Sequence, residues 1–133
     1  PNFVLTSLNG AELSLDSINK KFVILDFWGS WCGWCFKGFP KMNEYYKKYK
    51  NDIEIIGIAC NDKEDKWRNA VKENNLEWLN VINSEEIEND VSVMYGIQAY
   101  PTKFILDKNK IIVGKFVGET NEFYEKLNEL IKK

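Results

Sequence analysis

A seven-residue apolar segment followed closely by two cysteines most constrains how this chain can fold. Every position of Phe22–Trp28 except one is apolar, which is typical of a strand covered on both faces of a parallel sheet. Gly29 and Ser30 end the segment, and from residue 33 onward apolar side chains recur every three or four positions, as in an amphipathic helix. The sequence therefore predicts a strand, a turn and a helix, with Cys32 and Cys35 at the helix start.

Apolar patterning also predicts the elements around this unit. A second buried strand is expected at residues 53–59, and the right-handed crossover rule makes it the parallel partner of the first. Asn9-Gly10 predicts a tight turn between strands at residues 3–8 and 11–15. We expect this hairpin to stand ahead of the main sheet as an appendage.

The middle of the chain alternates charged and apolar stretches and predicts further α/β structure. Asp62 is a good N-cap for a helix, and residues 78–82 read as a short strand. A following helix is predicted to start at Ser84 and to stop at Gly96. Its inward face is predicted to carry Ile87, Val91 and Met94.

The end of the chain predicts an antiparallel pair of strands at residues 103–107 and 111–117, followed by a helix from about residue 121. Parallel strands first and an antiparallel pair last suit an α/β fold with a central mixed sheet and helices on both faces. We expect residues 1–133 to form one domain. Residues 1–19 would be its hairpin extension, and about 62–94 an inserted strand and helix block.

Composition excludes several classes of function. The chain has 133 residues, 44% of them apolar, and its 18 basic and 20 acidic side chains leave a net charge of -2. These charges are scattered, so nothing selects nucleic acid, and the apolar runs are shorter than the roughly 20 residues that span a bilayer. The sequence therefore predicts a chain that neither binds nucleic acid nor crosses a membrane.

The three cysteines favour chemistry over disulfide stapling, because two of them stand in one Cys-x-x-Cys. Zinc would need two further soft ligands, but the chain has no histidine and only Cys60 to spare, so no metal is expected. Cys60 ends the second predicted strand and reads as a small buried apolar residue. The alternative is a third redox thiol, because strand ends in such sheets face the active site.

Two sequence motifs carry a resemblance to a known family. The stretch Trp28-Gly29-Ser30-Trp31-Cys32-Gly33-Trp34-Cys35 resembles the thioredoxin superfamily, and Tyr100-Pro101-Thr102 looks like its second signature. Asp26, Pro40, Gly114 and Gly118 also match family positions. The similarity covers about residues 20 to 133 and implies a thioredoxin fold. The opening hairpin and middle block are similar to the TlpA/ResA-like branch of membrane-tethered or secreted bacterial thiol-disulfide oxidoreductases.

The resemblance implies roles for Cys32, Cys35 and Asp26. Cys32 would be the attacking thiol, because a helix N-terminus favours the thiolate, and Cys35 would resolve the mixed disulfide. Asp26 would accept the proton of Cys35, since burial in an apolar strand should raise its pKa. The alternative is a strand-end aspartate that reaches water. Some relatives carry instead a glutamate three positions after the second cysteine, where this chain has Gly38.

The same resemblance implies a substrate surface. Pro101 would follow a cis peptide bond, and the backbone of Tyr100 would pair with the substrate chain. The alternative is an ordinary trans proline at a strand start. Trp31 and Trp34, with Gly33 between the cysteines, would flank Cys32 and offer an apolar platform, whereas Trp28 would lie in the core. Trp34 departs from the proline or histidine common there, so the redox potential is not transferable.

The leading hypothesis is a thiol-disulfide oxidoreductase that reduces disulfides in proteins, with the Cys32–Cys35 disulfide as its only redox group. Its expected partners are protein thiol or disulfide substrates and an upstream electron donor, and the chain is expected to be a monomer. The expected location is the bacterial periplasm or cell envelope, with a signal peptide or anchor missing from this chain. The alternative location is the cytoplasm. Alternative functions are a peroxiredoxin-like peroxidase and a non-catalytic thioredoxin-like binding module.

Overall fold

A computed structural model describes residues 1–132 and confirms the predicted α/β fold with a mixed sheet. The strands are β1 (Val4–Ser7), β2 (Glu12–Ser14), β3 (Phe22–Trp28), β4 (Ile53–Ala59), β5 (Leu79–Ile82), β6 (Thr102–Asp107) and β7 (Ile112–Val117). The helices are α1 (Gly33–Lys48), α2 (Glu64–Glu73), α3 (Val91–Met94) and α4 (Asn121–Lys132). Within residues 1–132, no helix combines the length and apolar character that a bilayer crossing requires.

All seven strands form one sheet in the order β2-β1-β5-β4-β3-β6-β7. Strand β3 pairs in parallel with β4 and antiparallel with β6, so its backbone is hydrogen-bonded on both sides. Every side chain of β3 is buried, as its apolar sequence predicts. The parallel pair β3 and β4, joined through α1, is the predicted crossover unit.

Helices cover the two faces of this sheet unequally. Alternate residues of β3 point to opposite faces, and each set belongs to a separate buried cluster. One cluster contains Ile24 and Trp28 with side chains of α1, α2 and α4. The other contains Val23, Leu25 and Phe27 and is closed by α3 and by residues that precede β3. The three longer helices therefore lie on the face to which Asp26, between Ile24 and Trp28, also points.

The opening hairpin forms, but the prediction that it stands apart from the main sheet is wrong. Strand β1 pairs with β2 on one side and antiparallel with β5 on the other, with Thr6 opposite Ile82. The pairing satisfies the free edge of β5, and Leu5 enters the second buried cluster. The hairpin is therefore the continuation of the central sheet.

Two helix starts in the middle of the chain also differ from the prediction. Helix α2 begins at Glu64 without a side-chain cap, and Asp62 instead accepts hydrogen bonds from Ser30. The predicted helix from Ser84 is replaced by a 3₁₀ turn and by the four-residue helix α3, which Asp90 caps through the amides of Ser92 and Val93.

Of the three side chains predicted to point inward from that helix, only one is buried. Val91 is buried, whereas Ile87 is 89% exposed and Met94 is 38% exposed. A continuous helix would have placed all three side chains on one face, but the chain turns at residues 87–89 and at Asp90. Gly96 does follow the end of α3, with a φ of 63° that glycine adopts without strain.

The pairing of β1 with β5 predicts different costs for neighbouring substitutions. Leu5→Ala should lower the free energy of unfolding by about 2 to 4 kcal/mol, because it empties space in a buried cluster. Val4→Ala is the matched control: Val4 is 44% exposed on the same strand, and its truncation should cost under about 1 kcal/mol. Urea unfolding measures both. Equal small losses would contradict a hairpin integrated into the sheet.

Candidate active site

The two cysteines of the motif form a disulfide at the N-terminus of α1. Their Cα atoms lie 5.4 Å apart, and Cys32 is the N-cap residue. The Cys32 Sγ accepts a hydrogen bond of 3.2 Å from the Cys35 amide. Cys32 is 6% exposed and Cys35 is 2% exposed. This geometry places the Cys32 sulfur where free helix amides favour a negative charge, as the sequence predicts.

The turn between β3 and α1 is fixed by close contacts. The Cys32 amide donates to the Gly29 carbonyl at 3.0 Å. A side chain at Gly29 would overlap the indole ring of Trp31, so the ring approaches a position that only glycine allows. The Ser30 amide donates to the Asp62 carboxylate at 2.7 Å and ties the turn to the segment after β4. The cysteine pair therefore begins from an anchored loop.

Two tryptophans border the disulfide in different environments. Trp31 is 51% exposed, but its Nε1 donates to the Cys60 carbonyl at 2.9 Å and its ring meets Tyr100 edge-on at 5.2 Å. Trp34 is 65% exposed, and the Lys37 ammonium lies 4.4 Å from its ring centroid. The structure therefore gives Trp31 a fixed position, while Trp34 presents most of its surface to solvent. Trp28 is fully buried.

The second signature borders a shallow groove beside this surface. The peptide bond between Tyr100 and Pro101 is cis. Gly118 follows β7 with a φ of 82°, and its amide donates to the Pro101 carbonyl at 2.7 Å. The groove has a volume of about 280 Å³ and opens to solvent. It is lined by Trp34, Tyr100, Pro101, Gly118, Glu119 and Thr120.

Asp26 is buried in the sheet and points to the face that α1 covers. Its exposure is 1%, which excludes a strand-end carboxylate that reaches water. Burial raises the pKa of Asp26, and the positive charge of Lys103 opposes that rise only in part. The Lys103 Nζ lies 3.8 Å from Asp26 Oδ1, too far for a hydrogen bond, and Oδ1 has no hydrogen-bond partner. Asp26 is thus a buried carboxyl group whose pKa lies above its ordinary value.

The lysine beside Asp26 was missed by reasoning from sequence. Lys103 stands directly opposite Asp26 in the antiparallel pair of β3 and β6 and is 2% exposed. Its Nζ donates to Glu119 at 3.0 Å, and Glu119 also accepts from the Tyr124 hydroxyl at 3.3 Å. A charged residue within the apolar run of β6 was the available signal for Lys103. No local pattern points to Glu119, which follows the last strand.

Cys60 lies just beyond the end of β4 and is 1% exposed. Burial raises the pKa of its thiol to about 12, which keeps it protonated near neutral pH. These properties favour the buried apolar residue over the third redox thiol. Within residues 1–132, no group of three or more His, Cys, Asp or Glu side chains is placed to hold a metal ion.

Comparison with known proteins places this geometry in a family. A family model described as thioredoxin-like matches residues 19–112. The thiol-disulfide oxidoreductase ResA of Bacillus thuringiensis is 36% identical over 134 residues, which cover 100% of this chain and 75% of the relative. ResA of Bacillus subtilis is 30% identical over 123 residues, covering 92% of this chain and 67% of the relative.

Solved structures agree with these relatives. The thioredoxin domain of a thiol-disulfide oxidoreductase from Bacteroides vulgatus superposes with a TM-score of 0.88 at 27% identity, covering 97% of this chain and 92% of that one. A thiol:disulfide interchange protein from Bacteroides sp. gives a TM-score of 0.88 at 26% identity, with coverages of 100% and 88%. The chain therefore belongs to the thioredoxin-like family, in its ResA-like branch, and is a thiol-disulfide oxidoreductase with a Cys32–Cys35 disulfide.

Proposed function

We propose that the chain reduces disulfides in protein substrates, with Cys32 as the nucleophile and Cys35 as the resolving thiol. The observation that carries the proposal is the position of Cys32 at the N-cap of α1, where its sulfur accepts a hydrogen bond from the Cys35 amide. In the reduced protein the same amide and the helix dipole would stabilise a Cys32 thiolate. That thiolate attacks a substrate disulfide, forms a mixed disulfide and releases the first substrate sulfur as a thiolate.

The second step needs a proton acceptor for Cys35, and we assign this role to Asp26. The Cys35 thiol gives its proton to the Asp26 carboxylate, and the resulting thiolate attacks the Cys32 sulfur. The Cys32–Cys35 bond forms while the bond to the substrate breaks, and the electron pair leaves with the second substrate sulfur. The raised pKa of Asp26 supports the role, because a stronger base takes the thiol proton more readily.

The groove beside Pro101 supports a polypeptide substrate. We propose that the backbone of Tyr100, just before the cis bond, pairs with the extended chain around the substrate cysteine. Trp34, Trp31 and the Gly33 backbone would contact the flanking residues. An exposed aromatic surface adjoining a groove fits a peptide better than a small oxidant such as peroxide.

The partners and location of this reaction are also proposals. An upstream electron donor must return the oxidised pair to the dithiol, because each turnover consumes two electrons. Resemblance to a secreted or membrane-tethered branch supports the bacterial periplasm or cell envelope as the compartment. We propose that the domain acts there as a monomer.

Substitution of the nucleophile tests the assignment. Cys32→Ser should reduce turnover of insulin disulfides to the background rate of the buffer reductant, because no mixed disulfide can form. Cys60→Ser is the matched control and should keep wild-type activity, since Cys60 is buried and protonated. The assignment of Cys32 is wrong if its serine variant turns over insulin normally. Rapid peroxide consumption that survives Cys35→Ser would instead establish the peroxidase alternative.

The proton acceptor gives a second prediction. Asp26→Asn should slow resolution of a pre-formed mixed disulfide at pH 7 by roughly tenfold or more, because the amide cannot accept the Cys35 proton. Release of a chromophoric thiol from Cys32, followed by stopped flow, measures this step. Formation of the mixed disulfide should change much less, which serves as the internal control. An unaltered resolution rate would refute the role of Asp26.

The same substitution has a predicted effect on stability with a defined sign. The pKa of Asp26 is raised in the folded protein, so its favourable contribution is complete below its ordinary value of 3.8 and is lost as pH rises through the folded value. Asp26→Asn removes this loss and leaves Lys103 paired with Glu119. The variant should therefore gain stability relative to wild type as pH rises above 3.8. Denaturant unfolding of both oxidised proteins across this range measures the difference.

A further inference from the structure

A glycine inside α1 points to a function for Glu119. Glycine within a helix costs roughly 1 kcal/mol relative to alanine, yet Gly38 lies in the second turn of α1 and is buried. A side chain built at Gly38 would overlap the carboxylate of Glu119. The missing Cβ therefore gives Glu119 the space that it occupies against the helix.

Other contacts hold the Glu119 carboxylate in that space. One oxygen accepts from Lys103 at 3.0 Å, and the other accepts from the Tyr124 hydroxyl at 3.3 Å. The preceding residue, Gly118, is itself tied to the Pro101 carbonyl. The Glu119 side chain is 19% exposed, so it reaches from the substrate groove into the interior.

Glu119 and Asp26 share one cation, and they share it unequally. The Lys103 Nζ lies 3.0 Å from Glu119 Oε2 but 3.8 Å from Asp26 Oδ1. The shorter distance is a charge-assisted hydrogen bond, whereas the longer one is an ion pair without a hydrogen bond. Glu119 thus binds the ammonium that would otherwise be free to approach Asp26 and stabilise its ionised form.

We propose that Glu119 is a positioning residue for the reaction: by binding Lys103, it holds the ammonium away from Asp26 and keeps Asp26 a strong proton acceptor for Cys35. This inference rests on the proposed role of Asp26 in the second step. Glu119 exchanges no atoms with the substrate. The proton still passes from the Cys35 thiol to the Asp26 carboxylate, and the Cys35 thiolate still displaces the substrate sulfur from Cys32.

The other titratable groups that interact with Asp26 do not compete with this effect. Tyr124 on α4 and Cys60 after β4 both interact electrostatically with Asp26. Burial raises the pKa of both, that of Cys60 to about 12, so both are neutral at acid and neutral pH. In the oxidised protein Cys35 does not titrate. Lys103 and Glu119 are therefore the charges that control Asp26 there.

The test is a titration of Asp26 in the oxidised protein, followed by the ¹³C shift of its carboxyl carbon. Glu119→Gln should move the Asp26 midpoint to lower pH, because a negative charge is lost and Lys103 is free to approach. Lys103→Met should move the midpoint to higher pH, because the stabilising cation is gone. Glu122→Gln removes an equal charge from an exposed position on α4 and should leave the midpoint unchanged.

Gly38→Ala provides a variant that alters no charge. Its methyl group would displace the Glu119 carboxylate from Lys103, so the Asp26 midpoint should shift to lower pH, as in Glu119→Gln. A purely structural role for Glu119 would not produce opposite shifts in Glu119→Gln and Lys103→Met. An Asp26 midpoint that stays fixed or rises in Glu119→Gln overturns the proposal.

A rate measurement separates this inference from the proposed function. Resolution of the mixed disulfide at pH 8 should be about threefold slower in Glu119→Gln, because a weaker base accepts the proton more slowly. Suppose that the Asp26 midpoint shifts in Glu119→Gln but Asp26→Asn resolves the mixed disulfide at the wild-type rate. Glu119 then controls Asp26 as proposed, and Asp26 is rejected as the proton acceptor. If the Asp26 midpoint in Glu119→Gln equals that of wild type while Asp26→Asn resolves the mixed disulfide slowly, only the role of Glu119 is rejected.

Discussion

Pairing of β3 with strands on both sides is the constraint on which the active site depends. Because Trp28 is in register with Ala59 of parallel β4, the loops that follow these two strands leave the same end of the sheet. Antiparallel β6 enters at that end, with Thr102 opposite Phe27, so Pro101 arrives there as well. Three segments that are distant in sequence therefore meet at one end of the sheet, because the register of hydrogen bonds places them there.

The same pairing buries a charged group, and two further side chains compensate its charge one after the other. A carboxylate on a strand buried on both faces loses its hydration, and Lys103, directly across the pair, compensates only part of that loss. Lys103 is buried too and needs a closer anion, which Glu119 supplies. Glu119 reaches the groove, where water is available. The series of charges therefore runs from the sheet interior to the groove beside Pro101.

Local patterns predicted the fold well where burial decides the structure. The predictions of strands β3 and β4 from their continuous apolar runs are correct, as is the prediction of a helix end at the glycine after α3. Each of these features depends mainly on residues close by in the sequence. The prediction was wrong where tertiary contacts compete with local preference: Asp62 binds Ser30 and does not cap α2, and β1 joins the edge of β5. Asp26 and the cysteines were visible in the sequence, whereas Glu119 depends on the space beside Gly38, which only packing reveals.

The sheet order has a consequence for the folding chain. Asp26 and Lys103 become neighbours only when β3 and β6 pair, and segments so distant in sequence close slowly because the loop entropy must be overcome first. The groove beside Pro101 likewise needs this pairing, because β6 begins directly after Pro101. The helix N-terminus at Cys32, by contrast, belongs to a local element of the chain. The cysteine pair is therefore a local feature, whereas its surroundings are assembled from segments distant in sequence.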